Sequence, residues 1–128
     1  MKLTIPRVPP SLNVLMRMHY RRRGKLKELW RQELACAANG QASMARLKLW
    51  GGAVRGLKAR VEMVLYLAQL RDQDNLVGSA KIPLDCMKLA GGGLGWIADD
   101  DPAHLDLSVT QVKCKRKEQR TEITVEAK

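Results

Sequence analysis

Apolar and polar positions change period several times along the chain, and each change marks an element. Leu3, Ile5 and Val8 open an extended segment that Pro6, Pro9 and Pro10 keep out of the helical region, so a first strand should give way to a turn at Ser11-Leu12-Asn13. Leu26, Leu29, Trp30, Leu34 and Ala37 recur at 3.6-residue spacing and Asn39-Gly40 supplies a stop, which predicts an amphipathic helix over 25–38 with Trp30 and Leu34 toward the core. The stretch 41–56 is ambiguous: Met44, Leu47 and Leu49 allow a short helix, while Gly51-Gly52 marks a turn. From Leu57 the period falls to two, with Ala59, Val61, Met63, Leu65 and Leu67 alternating with Lys58, Arg60 and Glu62, and a strand wet on one side is expected to run to about Leu70.

A second helix is predicted over 74–90 from Leu76, Ala80, Leu84, Met87 and Leu89, with Asp74 or Asn75 as N-cap, Pro83 as a kink and Gly91-Gly92-Gly93 as the end. An extended piece over 94–98 leads to Asp99-Asp100-Asp101-Pro102. Two last strands, His104 to about Lys115 and Thr121 to Glu126, flank a charged turn at 116–120. The expected fold is α+β, a single small domain over 1–128 with a mixed β-sheet and two main helices.

A chain of 128 residues and 14.4 kDa can bury roughly two thirds of its unfolded surface in one core. No apolar run approaches the ~20 residues of a membrane helix, so a soluble protein without a membrane partner is expected. The first residues lack the apolar stretch of a signal peptide, which points to the cytoplasm. Cys36, Cys86 and Cys114, with no Cys-x-x-Cys pair, suggest neither a disulfide framework nor a zinc finger, and are expected to be reduced, buried thiols.

Charge changes the picture more. The net charge of +10 favours a polyanionic partner, and it is unevenly spread. Residues 1–60 carry fourteen basic side chains against Glu28 and Glu33 alone, a net +12, whereas residues 61–128 carry nine against eleven acids, a net −2. Within 14–27, seven of fourteen residues are basic: Arg17, His19, Arg21, Arg22, Arg23, Lys25 and Lys27. Such a run is read either as a solvated loop or as a nucleic-acid surface, and the rings of His19 and Tyr20 beside the cations favour the second.

The acidic half holds Asp72 and Asp74 at the end of the predicted strand, where extended geometry would project both from one face a few ångströms apart. Carboxylates that close repel unless a cation lies between them. Asp99-Asp100-Asp101, after a glycine hinge, stand where a chain return would bring one of them alongside. Together they meet the needs of magnesium, which takes few carboxylates and completes its shell with water and phosphate oxygens. Lys81 lies between the two clusters, within reach of a phosphate. On spacing alone, ordinary turn and cap chemistry is the commoner explanation of the same aspartates. No Ser-His-Asp or Cys-His arrangement emerges, and Gly91-Gly92-Gly93-Leu94-Gly95 lacks the lysine and hydroxyl residue of a phosphate-binding loop.

In combination these motifs are more specific. Pro9-Pro10-Ser11-Leu12-Asn13, then Arg17-Met18-His19-Tyr20 and a basic stretch before a helix, then Arg71-Asp72-Gln73-Asp74-Asn75-Leu76, Lys81, Asp85 and Asp99-Asp100, resemble in this order the RusA family of Holliday junction resolvases, many of them encoded by phages and prophages. The resemblance spans nearly the whole chain and implies a RusA-like fold and a homodimeric, Mg2+-dependent endonuclease that nicks four-way junction DNA symmetrically in recombination and repair. It further implies Asp72, Asp74 and Asp100 as metal-binding acids and Lys81 as the catalytic lysine. This sequence departs from the family in a longer Asn75-to-Lys81 gap and in a third aspartate, Asp101. The competing readings are a DNA-binding protein or regulator without catalysis, and a nuclease for other branched DNA.

Overall fold

The computed structural model describes residues 1–39 and 43–128. Four strands, β1 (Lys2–Ile5), β2 (Ala59–Leu67), β3 (Leu105–Lys113) and β4 (Arg120–Ala127), form one mixed sheet in the order β1-β4-β2-β3. Strand β2 pairs antiparallel with β4 and parallel with β3, and β1 pairs antiparallel with β4. The fold is α+β, as the change of period predicts.

The register follows from the period of two. Leu3, Ile123 and Met63 lie opposite one another across three strands, with Val109 beside Met63 on the fourth, and all belong to the face beneath the helices. Thr121 shares that buried face, and its Oγ1 donates to the Arg7 carbonyl (2.8 Å), so burial leaves no orphan hydroxyl there. The opposite face is polar: Arg60 lies 3.9 Å from Asp106, the Tyr66 hydroxyl donates to Glu122 (3.1 Å), and the Arg120 guanidinium sits 3.7 Å over the Tyr66 ring.

Five helices lie between the strands: α1 (Leu12–Arg17), α2 (Tyr20–Asn39), α3 (Ser43–Val54), α4 (Gln73–Gly78) and α5 (Lys81–Met87). Helix α2 buries Trp30, Leu34 and Ala38, four residues apart, against α5 and β1. It begins at Tyr20 rather than at Lys25, so most of the basic run is helical. Helix α3 resolves the ambiguity after residue 42: it runs through Gly51-Gly52, because Leu49 and Ala53 bury one stripe against the sheet, and the turn falls instead at Gly56, whose φ of +71° suits only glycine. The start of that stretch at Gln41, like Gly40 of the expected helix stop, lies outside the described residues.

The helix expected over 74–90 is two. Helix α4 ends at Gly78, and α5 starts at Lys81. The break removes the difficulty of Pro83, which becomes the third residue of α5, where the backbone N–H has no intrahelical acceptor to lose. The first bond of α5 is Leu84 N–H to the Ala80 carbonyl (2.9 Å). The β2 strand is shorter than expected, stopping at Leu67 rather than about Leu70. Among the described residues no helix is long and apolar enough to cross a membrane.

Candidate functional site

Because β2 ends at Leu67, Asp72 is not a strand residue. It is the N-cap of α4, with extended dihedrals (φ −67°, ψ 168°), and Asp74 falls in the first helical turn. The cap expected at Asp74 or Asn75 therefore sits at Asp72, and the two carboxylates are not on one face of a strand. Both remain exposed at a helix start, where backbone N–H groups favour negative charge. Asp72 Oδ1 accepts the Asn75 N–H (3.0 Å), and Asn75 Nδ2 donates to both Asp72 oxygens (3.1 Å each). The Asn75 backbone bond, followed by its side-chain amide, holds the Asp72 carboxyl below its ordinary pKa. Asn75 Oδ1 in turn accepts the Asn13 N–H (2.9 Å), tying α4 to the first turn of α1.

The segment leading to Asp72 is clamped from afar. Gln119 Oε1 accepts the Ala68 N–H (2.9 Å), while the Gln111 amide accepts the Arg71 N–H (2.9 Å) and donates to the Arg71 carbonyl (2.8 Å). Arg71 Nη1 donates to the Pro9 carbonyl (2.8 Å) and to Ser79 Oγ (2.7 Å), and burial lowers its guanidinium pKa. None of these four side chains is a functional candidate by sequence; their partners lie up to 62 residues away.

The expected chain return exists and goes elsewhere. Lys88 bridges Ile97 in parallel, with Leu89 N–H on the Ile97 carbonyl (2.9 Å), and this brings the aspartate run to the end of α5. Lys88 Nζ lies 3.0 Å from Asp100, 3.2 Å from Asp85 and 3.8 Å from Asp99. Burial opposes charge on Lys88, but its hydrogen bonds to Asp100 and Asp85 outweigh it and raise its pKa. Burial likewise pushes Asp100 up, and the Lys88 ammonium more than compensates, leaving the carboxyl lowered. Asp101 belongs to its own loop: its Oδ1 accepts the His104 N–H (3.0 Å) and lies 2.7 Å from His104 Nδ1. Among the three aspartates, Asp99 and Asp100 thus face a shared cation and Asp101 holds the turn that leads into β3.

Among the described residues no three His, Cys, Asp or Glu side chains converge as a metal-holding group. The donor chemistry still suits magnesium, which binds through one or two carboxylates with phosphate and water completing the shell; Asp72 and Asp74, the latter without a side-chain partner among the described residues, offer two hard-oxygen donors.

The cations are better assembled. A groove of about 370 Å³ between α2 and α5 is lined by Tyr20, Arg23, Lys27, Lys81 and Asp85, among others. Lys81 Nζ lies 3.6 Å and Lys27 Nζ 4.0 Å from Asp85. Arg17 closes α1; His19 Nδ1 accepts the Arg21 N–H (3.2 Å) and its ring packs 4.5 Å from Tyr20, whose hydroxyl accepts from Arg21 Nε (3.2 Å). On a helix, residues four apart share a face, so Arg21 with Lys25 and Arg23 with Lys27 form two stripes. Sequence reasoning missed Asp85 and Lys88 as organisers of the site; the signal was their i, i+3 spacing on one helix. No protein-family model matches the chain, and no curated protein matches it.

Proposed function

We propose that the chain is a cytoplasmic, magnesium-dependent endonuclease that acts as a homodimer on four-way junction DNA, introducing paired nicks. The observation that carries the reading is the α2–α5 groove, whose lining brings together Arg23, Lys27 and Lys81. The ordered resemblance to RusA resolvases supports it, and so does the charge asymmetry.

In this reading Asp72 and Asp74 hold magnesium, while Asp100, the third acid that the resemblance implies, is engaged by Lys88. The ion, when bound, supplies Lewis-acid charge at the phosphate and lowers the pKa of water. The chain's own residues do the rest. Asn75 holds the Asp72 carboxylate in one orientation and keeps it ionised. Lys81, tethered loosely by Asp85, sets a cation beside the phosphate. Arg17, His19, Arg21, Arg22, Arg23, Lys25 and Lys27 grip the DNA backbone, which makes binding strongly dependent on salt. Two copies related by a twofold axis offer two sites to the two equivalent strands of a junction.

A second reading, DNA binding without catalysis, is favoured by the neutralisation of Asp100 by Lys88. A labelled four-way junction, a linear duplex and a flap incubated with Mg2+ or EDTA separate the readings. Mg2+-dependent paired nicks in the junction are expected. Preferential cleavage of the flap would point to other branched DNA, and binding without cleavage to the non-catalytic reading. Asp74→Asn should lower cleavage by roughly 100-fold or more, the scale of losing one charge-stabilising group, while junction binding holds or strengthens as a repulsion is removed. A folded variant that nicks at the wild-type rate would sink the metal assignment.

A further inference from the structure

The connection from β3 to β4 is the one strongly charged segment that the proposed function leaves unused. Because these strands flank β2 on opposite sides, the chain between them must arch over the C-terminal end of β2, the same end from which residues 68–72 lead to Asp72. Cys114 N–H bonds the Leu67 carbonyl (2.9 Å) as the arch begins, and Gln119 reaches back to Ala68 as it ends. The arch carries a 3₁₀ turn, Arg116–Glu118.

Two features make it a surface for a polyanion. Five of the nine basic side chains of residues 61–128 fall within 113–120, with Glu118 as the sole acid there. Lys113, Lys115, Arg116 and Lys117 are exposed. Arg120, by contrast, is engaged by Glu122 and stacked on Tyr66. Beside the arch lies an open groove of about 490 Å³, lined by Arg116 and Gln119 of the arch together with Ser11, Gln69, Arg71 and Asp72. Gln119 and Gln111 brace the segment 68–71 by hydrogen bonds to Ala68 and Arg71. Asp72 repels phosphate, so a strand in the groove is driven toward the arch.

We propose that this groove holds a DNA strand, with the Lys115-Arg116-Lys117 arch gripping its phosphates and guiding it past Asp72. The proposal rests on the DNA-acting reading above and adds a second contact surface, remote in sequence from the basic residues of α2. A phosphate contact contributes a slope of about −0.9 for duplex or −0.7 for single strands to the dependence of log K on log salt. Three contacts therefore account for roughly two to three units.

The test is fluorescence anisotropy of the full chain on a labelled four-way junction in EDTA, titrated between 50 and 200 mM salt. Lys115→Ala/Arg116→Ala/Lys117→Ala should bind at least about tenfold more weakly at the low-salt end and shed roughly two units of slope. Arg116→Glu alone should weaken binding and Arg116→Lys should retain it, since a phosphate contact needs only the charge; these single variants serve if the triple one misfolds by circular dichroism. Wild-type affinity and slope in the folded triple variant would overturn the proposal, and so would wild-type binding by Arg116→Glu. Arg21→Ala/Arg22→Ala/Arg23→Ala, measured alongside, reports the α2 surface independently. Cleavage in Mg2+ is read separately, so junction nicking with an inert arch defeats only the groove, and arch-dependent binding without nicking defeats only the nuclease.

Discussion

The side chain of Asn75 joins three parts of the chain, orienting Asp72 with its amide and holding α1 through the Asn13 N–H. Lys88 does comparable work at the other acidic cluster, where one ammonium gathers Asp85, Asp99 and Asp100. Both roles depend on partners that the local sequence only half reveals. The sequence reading put Asp72 and Asp74 at the end of a strand running to about Leu70, whereas the apolar alternation breaks at Gln69 and the hydrogen-bonded ladder stops at Leu67. The cysteines also differ from expectation: Cys86 alone is buried, Cys36 is exposed and Cys114 intermediate. Burial pushes the Cys86 thiol up to about 11, and its Sγ donates to the Lys27 carbonyl (3.3 Å). Its folded pKa is raised, so the native state holds that proton more tightly than the unfolded chain, and stability falls as pH rises from about 8.5 toward 11. Iodoacetamide at pH 8 should therefore modify Cys36 first and leave Cys86 intact in the native protein, with protection lost on unfolding, as mass spectrometry of peptides would read. Modification of Cys86 at the Cys36 rate would contradict the burial.

At the scale of elements, close approach of α1 and α4 separates two glycines that look alike in sequence. A Cβ at Gly78 would collide with the Leu12 side chain at its root, so α1 itself has to move, whereas a Cβ at Gly24 in α2 meets nothing. Gly24→Ala should stabilise the protein by about 0.5–1 kcal/mol through helix propensity. Gly78→Ala should destabilise it by about 1 kcal/mol, because overpacking of roughly 1–3 kcal/mol exceeds the same propensity gain. Thermal melts moving in opposite directions would confirm the packing; a stabilising Gly78→Ala would refute it. Helix α2 was legible from Leu26, Leu29, Trp30, Leu34 and Ala37, whose spacing is a local property. The division between α4 and α5 was not, because it depends on Ser79, a buried residue whose Oγ donates to the Asn75 carbonyl (2.7 Å) and accepts from Arg71, and no period records that.

At the scale of the molecule, the proposed paired nicks require two sites, so light scattering at micromolar concentration should give twice the 14.4 kDa chain mass. A monomer that still makes paired nicks would contradict the dimer. The uneven charge, +12 in residues 1–60 against −2 in the remainder, is a fact of sequence, and it led directly to the α2 cations. What the sequence by itself determined was the α+β class, helix α2 and the inward faces of β2 and β4, because burial imposes a period on residues that are neighbours along the chain. Where the charged residues meet was decided only in three dimensions. The bridge of Lys88 to Ile97 carries Asp99 and Asp100 to the end of α5, and the β1-β4-β2-β3 order forces residues 114–119 across the end of β2 beside Asp72. Both follow from strand order and from hydrogen bonds such as Gln111 to Arg71, forty residues apart, whose partners are chosen by the packed sheet and not by spacing.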